Sequence, residues 1–241
     1  MRIIAEQTDA LNTYDFWNNV IEKDYIDAMA LNIALTKDDK VVTYNINTNI
    51  DANVNTIETS NLNELGNYEL ELFEDTLKNL NERNMKKDIY VNIAPFRTGQ
   101  LTEENIQQTS IRINLYIEKI IESINKYPNL NIHLHTINRS IITVLKNKIK
   151  DRKIGFIITN RDLNFIDVDY YVMTMVAFND TIIDLLLKEK KEVIIYVRSD
   201  YYISFLYDHY IGEKSTTHSQ LVLKELGILT NYPEVINKVL R

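Results

Sequence analysis

A (β/α)8 barrel is the fold this sequence predicts, on three observations. Eight short runs rich in Ile, Val and Tyr recur along the chain, at residues 2–5, 28–34, 88–94, 131–136, 153–158, 169–173, 192–197 and 227–230. The stretches between them carry apolar residues at helical spacing. No Pro/Gly/Ser-rich linker divides the chain, which holds only five Gly and three Pro in 241 residues. Strands alternating with helices favour a parallel sheet closed into a barrel over an open doubly wound sheet.

Each strand run is apolar or alternating, as a strand buried on one or both faces must be. The helical stretches are equally periodic. Residues 12–23 place Phe16, Trp17, Val20 and Ile21 on one side, and residues 69–84 do the same with Leu70, Phe73, Leu77 and Leu80. Ile113, Ile117, Ile120 and Ile124 stripe residues 103–126, and Ile141, Ile142, Leu145 and Ile149 stripe 139–150. Further helices fit 181–190, 200–210, 216–226 and 233–240. A ninth β-like run, 40–45, follows the second strand after a Thr36–Asp39 turn and reads as a hairpin arm, a short insertion in the barrel. The Asn-rich stretch 45–67 reads as a polar excursion. The whole chain, 1–241, is expected to form one domain. The group Glu69, Glu71, Glu74 and Asp75 is expected to be a solvated helix face, and His209 and His218 are expected to be solvated.

Composition removes several functions. There is no Cys, so disulfides, thiolate metal sites and cysteine nucleophiles are excluded. A net charge of −7 argues against nucleic acid or an anionic membrane as partner, since either favours a basic face. No apolar run approaches the ~18 residues of a membrane span, and Ile3–Ala5 is too short for a signal-peptide core. The expected location is the cytoplasm. No glycine-rich phosphate loop or dinucleotide fingerprint is present, and no cofactor is predicted.

A family resemblance runs through the chain in order. Residues 30–45, Ala-Leu-Asn-Ile-Ala-Leu-Thr-Lys-Asp-Asp-Lys-Val-Val-Thr-Tyr-Asn, resemble the run Glu-Leu-Asp-Val-x-Leu-Thr-Lys-Asp-Gly, then a β-run ending His-Asp, of the glycerophosphodiester phosphodiesterases. Ile3-Ile4-Ala5 sits where that family has its first strand and a His-Arg-Gly. Asn12-Thr13 is similar to the end of Pro-Glu-Asn-Thr. Val91–Ala94 is similar to Ile-Glu-Ile-Lys, Ile195–Ser199 to Val-Trp-Thr-Val-Asn, and Gly227–Pro233 to the closing Gly-Ile-Ile-Thr-Asp-x-Pro. The resemblance implies a phospholipase-C-like phosphodiesterase barrel, and a lipid-metabolic phosphoric diester hydrolase that holds a divalent cation with carboxylates and uses two histidines as acid and base.

The residues that would do this chemistry are replaced. Glu6, Gln7 and Thr8 stand for His-Arg-Gly, Ala30 and Asn32 for the metal-binding Glu and Asp, Asn45 for the second His, Asn92 and Ala94 for Glu and Lys, and Tyr196 for Trp. Alternation places Ala30 with Asn32, and Asn92 with Ala94, on shared faces. An amide oxygen can touch a cation but brings no net charge, and a unit charge pair at 4 Å is worth roughly 4 kcal/mol even at intermediate dielectric. Asparagine cannot relay a proton near neutral pH. The positions matching catalytic residues (Glu6, Gln7, Asn45, Ala94) and metal ligands (Ala30, Asn32, Asn92) are therefore expected to be inactive and to hold no metal.

His133 and His135 share a strand face, and fill a layer more simply than they form a metal pair; His135 is nearer the strand's C-terminal end. Arg198 follows the seventh strand, where it is placed either to bind an anion or to form a surface ion pair. Tyrosine clusters at Tyr170–Tyr171, Tyr201–Tyr202, Tyr207 and Tyr210 offer an interaction surface, though compositional bias explains most of the fifteen tyrosines more simply. Two functions remain: a non-catalytic barrel binding a small polar ligand or a protein partner, alone or as an oligomer, and a hydrolase with a site rebuilt on Glu6, His135 and Arg198. The first is preferred. Its ligand contacts are expected from Glu6, Asn32, Asn45, Asn92, His135, Tyr196 and Arg198, in a small neutral pocket that would repel phosphate unless Arg97 or Arg198 turned inward.

Overall fold

The computed structural model describes residues 1–7, 13–44, 56–66, 70–96, 103–160 and 166–241. Asn45 and Arg97 lie outside them, as do Thr8, Asn12 and Glu69. The strands are β1 (Arg2–Glu6), β2 (Ala28–Leu35), β3 (Val41–Tyr44), β4 (Glu71–Leu72), β5 (Asp88–Ile93), β6 (Ile132–Thr136), β7 (Ile154–Ile158), β8 (Tyr170–Thr174), β9 (Glu192–Val197) and β10 (Gly227–Thr230). The α-helices are α1 (Thr13–Glu22), α2 (Phe73–Glu82), α3 (Glu103–Asn125), α4 (Arg139–Lys148), α5 (Asp180–Lys188), α6 (Asp200–Tyr210), α7 (Thr217–Glu225) and α8 (Pro233–Leu240).

Strands β1, β2, β5, β6, β7, β8, β9 and β10 form a closed parallel barrel, sealed by the pairing of β1 with both β2 and β10. Alternation assigns their side chains. Ile3, Met29, Leu31, Ile33, Ile89, Val91, Val193 and Ile195 pack outward under the helices. Ile4, Ala28, Ala30, Tyr90, Tyr170, Val172, Ile194 and Leu229 pack inward. Both faces are buried, which explains why β2, Ala-Met-Ala-Leu-Asn-Ile-Ala-Leu, is apolar almost throughout.

The interior is filled unequally. A Cβ on Gly155 would lie 2.4 Å from the Tyr170 ring, so β7 must carry glycine there for Tyr170 to cross the barrel. Among the described residues no helix is long and apolar enough to span a membrane.

The insertion after β2 is a hairpin. β3 pairs antiparallel with β2, and β4 with β3. Its turn explains the Leu35–Asp38 motif: Thr36 Oγ1 donates to Asp38 Oδ1 at 2.7 Å and accepts from Lys40 N at 2.9 Å. Asp38 also accepts from Leu62 N at 2.9 Å. Asp39, where the resembled run has glycine, adopts φ 60°, a region aspartate tolerates better than most residues.

One helix differs from expectation. Residues 71–72 are strand, and α2 begins at Phe73. The helical spacing of 69–84 is overridden by Glu71, whose carboxylate accepts from Thr76 Oγ1 and Asn79 Nδ2, both at 2.8 Å, while its carbonyl accepts from Thr43. Glu71 is thus half-buried rather than solvated, and burial pushes its carboxyl up. Glu74 pairs with Lys126 at 2.6 Å. His218 is exposed as expected, whereas His209 is only partly so, and each meets a carboxylate. His209 Nε2 lies 3.0 Å from Asp180 Oδ1 and stacks on Phe205, and His218 Nε2 lies 2.9 Å from Asp184 Oδ2.

Candidate functional site

The C-terminal ends of parallel barrel strands form the mouth, the end where such folds place their chemistry. β1 ends there in Glu6, β2 brings Asn32, β5 Asn92, β6 His135, and β9 Tyr196 followed by Arg198. Asn32 and Asn92 are register partners, as are Asn92 and His135, so the strand pairing itself sets the amides side by side.

These side chains form one hydrogen-bonded chain. Asn92 Nδ2 donates to Asn32 Oδ1 at 2.9 Å, and Asn32 Nδ2 donates to Glu6 Oε1 at 3.1 Å. Tyr196 OH donates to Glu6 Oε2 at 2.5 Å. Arg198 Nε donates to the Tyr196 oxygen, and its guanidinium lies 4.4 Å from the Tyr196 ring centroid. The same Nε is 3.9 Å from Glu6 Oε2. Glu6 is 3% exposed, and both of its oxygens are engaged. The Asn32, Asn92, Glu6 and Tyr196 cluster expected from alternation is therefore present, and Arg198 joins it.

Burial pushes the Glu6 carboxyl above the usual carboxylate range, offset in part by Arg198 and by the Tyr196 and Asn32 donors. Burial, then the nearby Glu6 charge, also pushes the Tyr196 phenol up.

The other expected residues sit apart from this chain. His135 is buried, and its Nδ1 lies 3.1 Å from Tyr170 OH rather than in the Glu6 network. Burial, then the neighbouring His133, pushes its imidazole down to about 3, which keeps it neutral at physiological pH. Ala30 is buried beside Glu6 in the barrel interior. Ala94 follows β5 and packs with Ala34, Val42 and Tyr44 of the hairpin. Gln7, just after β1, is partly exposed.

The divalent cation implied by the resemblance does not fit these residues. Among the described residues this cluster holds one carboxylate, Glu6, and its oxygens already accept hydrogen bonds from neutral donors. Its neighbours are two amides bonded to each other or to it. Hard cations of this class take six or more oxygens, commonly with several carboxylates. Among the described residues, no group of three His, Cys, Asp or Glu side chains is arranged to hold a metal ion.

A second polar cluster, at the opposite end of the barrel, was not anticipated. Arg2, Asp88 and Glu192 begin β1, β5 and β9 on the inward phase. Arg2 pairs with Glu192 and lies 3.8 Å from Asp88. Glu192 also accepts from Tyr90 OH at 2.7 Å and from Lys153 Nζ at 3.2 Å. His133 Nε2 lies 3.4 Å from Asp88 Oδ2, at the outer edge of hydrogen-bonding reach. The sequence held one signal of this floor: counting back by twos from Glu6, Asn92 and Tyr196 lands on all three charges.

Solved structures share this architecture. A phosphodiesterase from Oleispira antarctica, in complex with the product sn-glycerol-3-phosphate, superposes with a TM-score of 0.71 at 11% identity, covering 100% of this chain and 96% of that one. The fold is that of the glycerophosphodiester phosphodiesterases. A member from Parabacteroides distasonis gives a TM-score of 0.68 at 12% identity over 99% of this chain and 96% of its own. One from Agrobacterium tumefaciens gives 0.62 at 10% identity over 99% and 100%. No protein-family model matches the sequence, and no curated protein matches it significantly. At these identities the phosphodiesterase likeness fixes the barrel, and leaves activity to the side chains at the mouth.

Proposed function

We propose that this chain is a non-catalytic, cytoplasmic, phosphodiesterase-like barrel whose mouth binds a small polar ligand or a protein partner. The observation that carries this reading is the double engagement of Glu6 by Asn32 and Tyr196. Phosphodiester hydrolysis needs a polarising cation and groups that exchange protons near neutral pH. The amides of Asn32 and Asn92 exchange none, and His135 is held neutral by burial. Among the described residues the cluster is close to electrically neutral, with the Glu6 carboxylate against the Arg198 guanidinium. That suits a ligand recognised by hydrogen bonds more than a phosphate, which would meet Glu6.

One observation favours the alternative, a hydrolase with a rebuilt site. Glu6 is a buried carboxyl with a raised pKa beside an arginine, the setting in which a general acid operates. An assay separates the two. Purified protein with a glycerophosphodiester, and with Mg²⁺ or Ca²⁺ at millimolar concentration, is expected to show no turnover above background. Turnover that Glu6→Gln abolishes while the melting temperature holds would establish the hydrolase instead.

A further inference from the structure

We propose that the mouth recognises the edge of an uncharged amide, a carbonyl oxygen beside an N–H, with Asn92 Oδ1 as acceptor and His135 Nε2–H as donor. This names a ligand class for the non-catalytic binding reading and rests on that reading.

The hydrogen-bonded chain at the mouth has a fixed direction. A guanidinium only donates, so Arg198 Nε makes the Tyr196 oxygen an acceptor and turns the phenol hydrogen to Glu6 Oε2. The Glu6 carboxylate, accepting through both oxygens, holds Asn32 Nδ2 toward it, and Asn32 Oδ1 then faces Asn92 Nδ2. The charged pair at one end of the chain thereby orients both amides. Asn92 Oδ1 is left over at the other end. It accepts no hydrogen bond among the described residues, and Asn92 is partly exposed.

The neighbouring strand supplies the donor. Asn92 and His135 are register partners on β5 and β6 and share the inward phase, so their side chains stand side by side. Tyr170 is fully buried, and His135 Nδ1, 3.1 Å away, is the one hydrogen-bond partner of its hydroxyl among the described residues. A proton on Nδ1 would leave the hydroxyl hydrogen buried without an acceptor. The other tautomer satisfies both groups: Tyr170 donates to Nδ1, and the ring proton sits on Nε2. Burial keeps the ring neutral, its pKa pushed down to about 3. Both nitrogens of His133 are sealed from solvent; Nε2 of His135, unpartnered among the described residues, is not, although the residue is only 2% exposed. Arg2, Glu192 and Tyr90 close the floor, so Nε2 is reached from the mouth.

The pair therefore offers an acceptor on β5 and a donor on β6, in an order that the surrounding bonds fix. A carboxylate or phosphate, which only accepts, would oppose Asn92 Oδ1. A hydroxyl, whose hydrogen rotates, gains nothing from a fixed order. An amide edge, with its own acceptor beside its own donor, matches it. The inward side chains beneath, Ala30, Val172 and Leu229, are apolar, which disfavours an ionic group entering from above.

Two NMR measurements on the whole chain test this. Nitrogen-15 spectra should show His135, one of four histidines, neutral with its proton on Nε2 near neutral pH, the signal assigned by its loss in His135→Gln. Nicotinamide should shift that signal on titration. Nicotinate, in which an oxygen replaces the amide nitrogen, should bind about tenfold more weakly, as one hydrogen bond is lost. Asn92→Ala should abolish the preference between the two; should that variant not fold, the wild-type tautomer and the matched pair of probes still decide. A proton on Nδ1, equal binding of nicotinamide and nicotinate, tighter binding of glycerol or inorganic phosphate than of nicotinamide, or a His135 signal unmoved by nicotinamide overturns the amide assignment. Turnover of a glycerophosphodiester would overturn instead the non-catalytic reading on which it rests.

Discussion

β1, β5 and β9 each carry one inward residue at the floor of the barrel and another at the mouth, and the two sets differ in kind. At the floor, Arg2, Asp88 and Glu192 meet as charges, with Lys153 and Tyr90 completing Glu192's partners. At the mouth, Glu6, Asn92 and Tyr196 meet through neutral donors and one carboxylate. Among the described residues, charge is therefore concentrated at the end that only has to be closed. The end where a substrate would enter is joined by amides and hydroxyls. In a barrel whose chemistry rests on a bound cation, the mouth would be expected to hold the carboxylates. The two ends of one barrel thus carry different electrostatics.

The difference can be broken by mutation. The largest effect should come from Glu6→Leu, which strands the Asn32 amide and the Tyr196 hydroxyl without their acceptor. At about 1–3 kcal/mol for each buried unsatisfied group, urea denaturation should register a loss near 3 kcal/mol. Glu6→Gln keeps one acceptor and lets the tyrosine hydroxyl turn, and should cost about 1 kcal/mol or less. Equal losses from the two would show that the mouth network is incidental.

Next comes Arg2→Met at the floor. It removes the closest of Glu192's cationic partners, leaving Lys153 and Tyr90, and part of Asp88's compensation, and should cost about 2 kcal/mol, below the value for a fully buried pair because Arg2 is partly solvated. Arg2→Met combined with Glu192→Met should recover about half, since both charges then leave together. A double variant worse than either single would mean that packing of the arginine stem, not charge, holds the floor.

The two ends should also separate by pH. His135 belongs to the upper window. Burial lowers its folded pKa to about 3, below its unfolded value. As pH falls from about 6.5 the unfolded chain takes up that proton first, so stability should drop by up to about 1.4 kcal/mol per pH unit until the folded pKa is reached. His135→Gln should flatten this slope. The floor belongs to the lower window. Asp88 is held below the usual range by His133, then by Asn131 and Arg2. Burial pushes Glu192 up, but Tyr90, Arg2 and Lys153 outweigh it and leave its carboxyl lowered. Carboxyls depressed in the folded state stabilise it above their unfolded pKa and lose that contribution as pH falls through the folded value. Asp88→Asn should therefore alter the denaturation midpoint below about pH 4 and leave the His135 window intact.

Much of this is legible in the sequence alone. Two-residue alternation, anchored by Leu35–Asp38 and Gly227–Pro233, placed Asn32, Asn92, Glu6 and Tyr196 inside the barrel, and strand register did the rest. What escaped depended on partners far away in sequence. Glu71 sits in a stretch of good helix spacing, and only Thr43, Thr76 and Asn79 reveal why it is strand. Charges at strand starts such as Arg2 and Glu192 look solvated until the barrel closes and brings them together across 190 residues. Gly155 explains itself only beside Tyr170. Asn45, expected at the mouth, and Arg97, which would have to turn inward for phosphate to bind, fall outside the described residues.

The central claim is that the side chains at the mouth bond one another rather than surround a cation. Thermal melts with and without millimolar Mg²⁺ or Ca²⁺ test it most directly, because an ion that binds only the folded state raises its stability by mass action. The two melts are expected to coincide apart from a weak, unsaturable ionic-strength effect. A saturable rise in melting temperature that Asn32→Ala or Asn92→Ala removes would contradict the account.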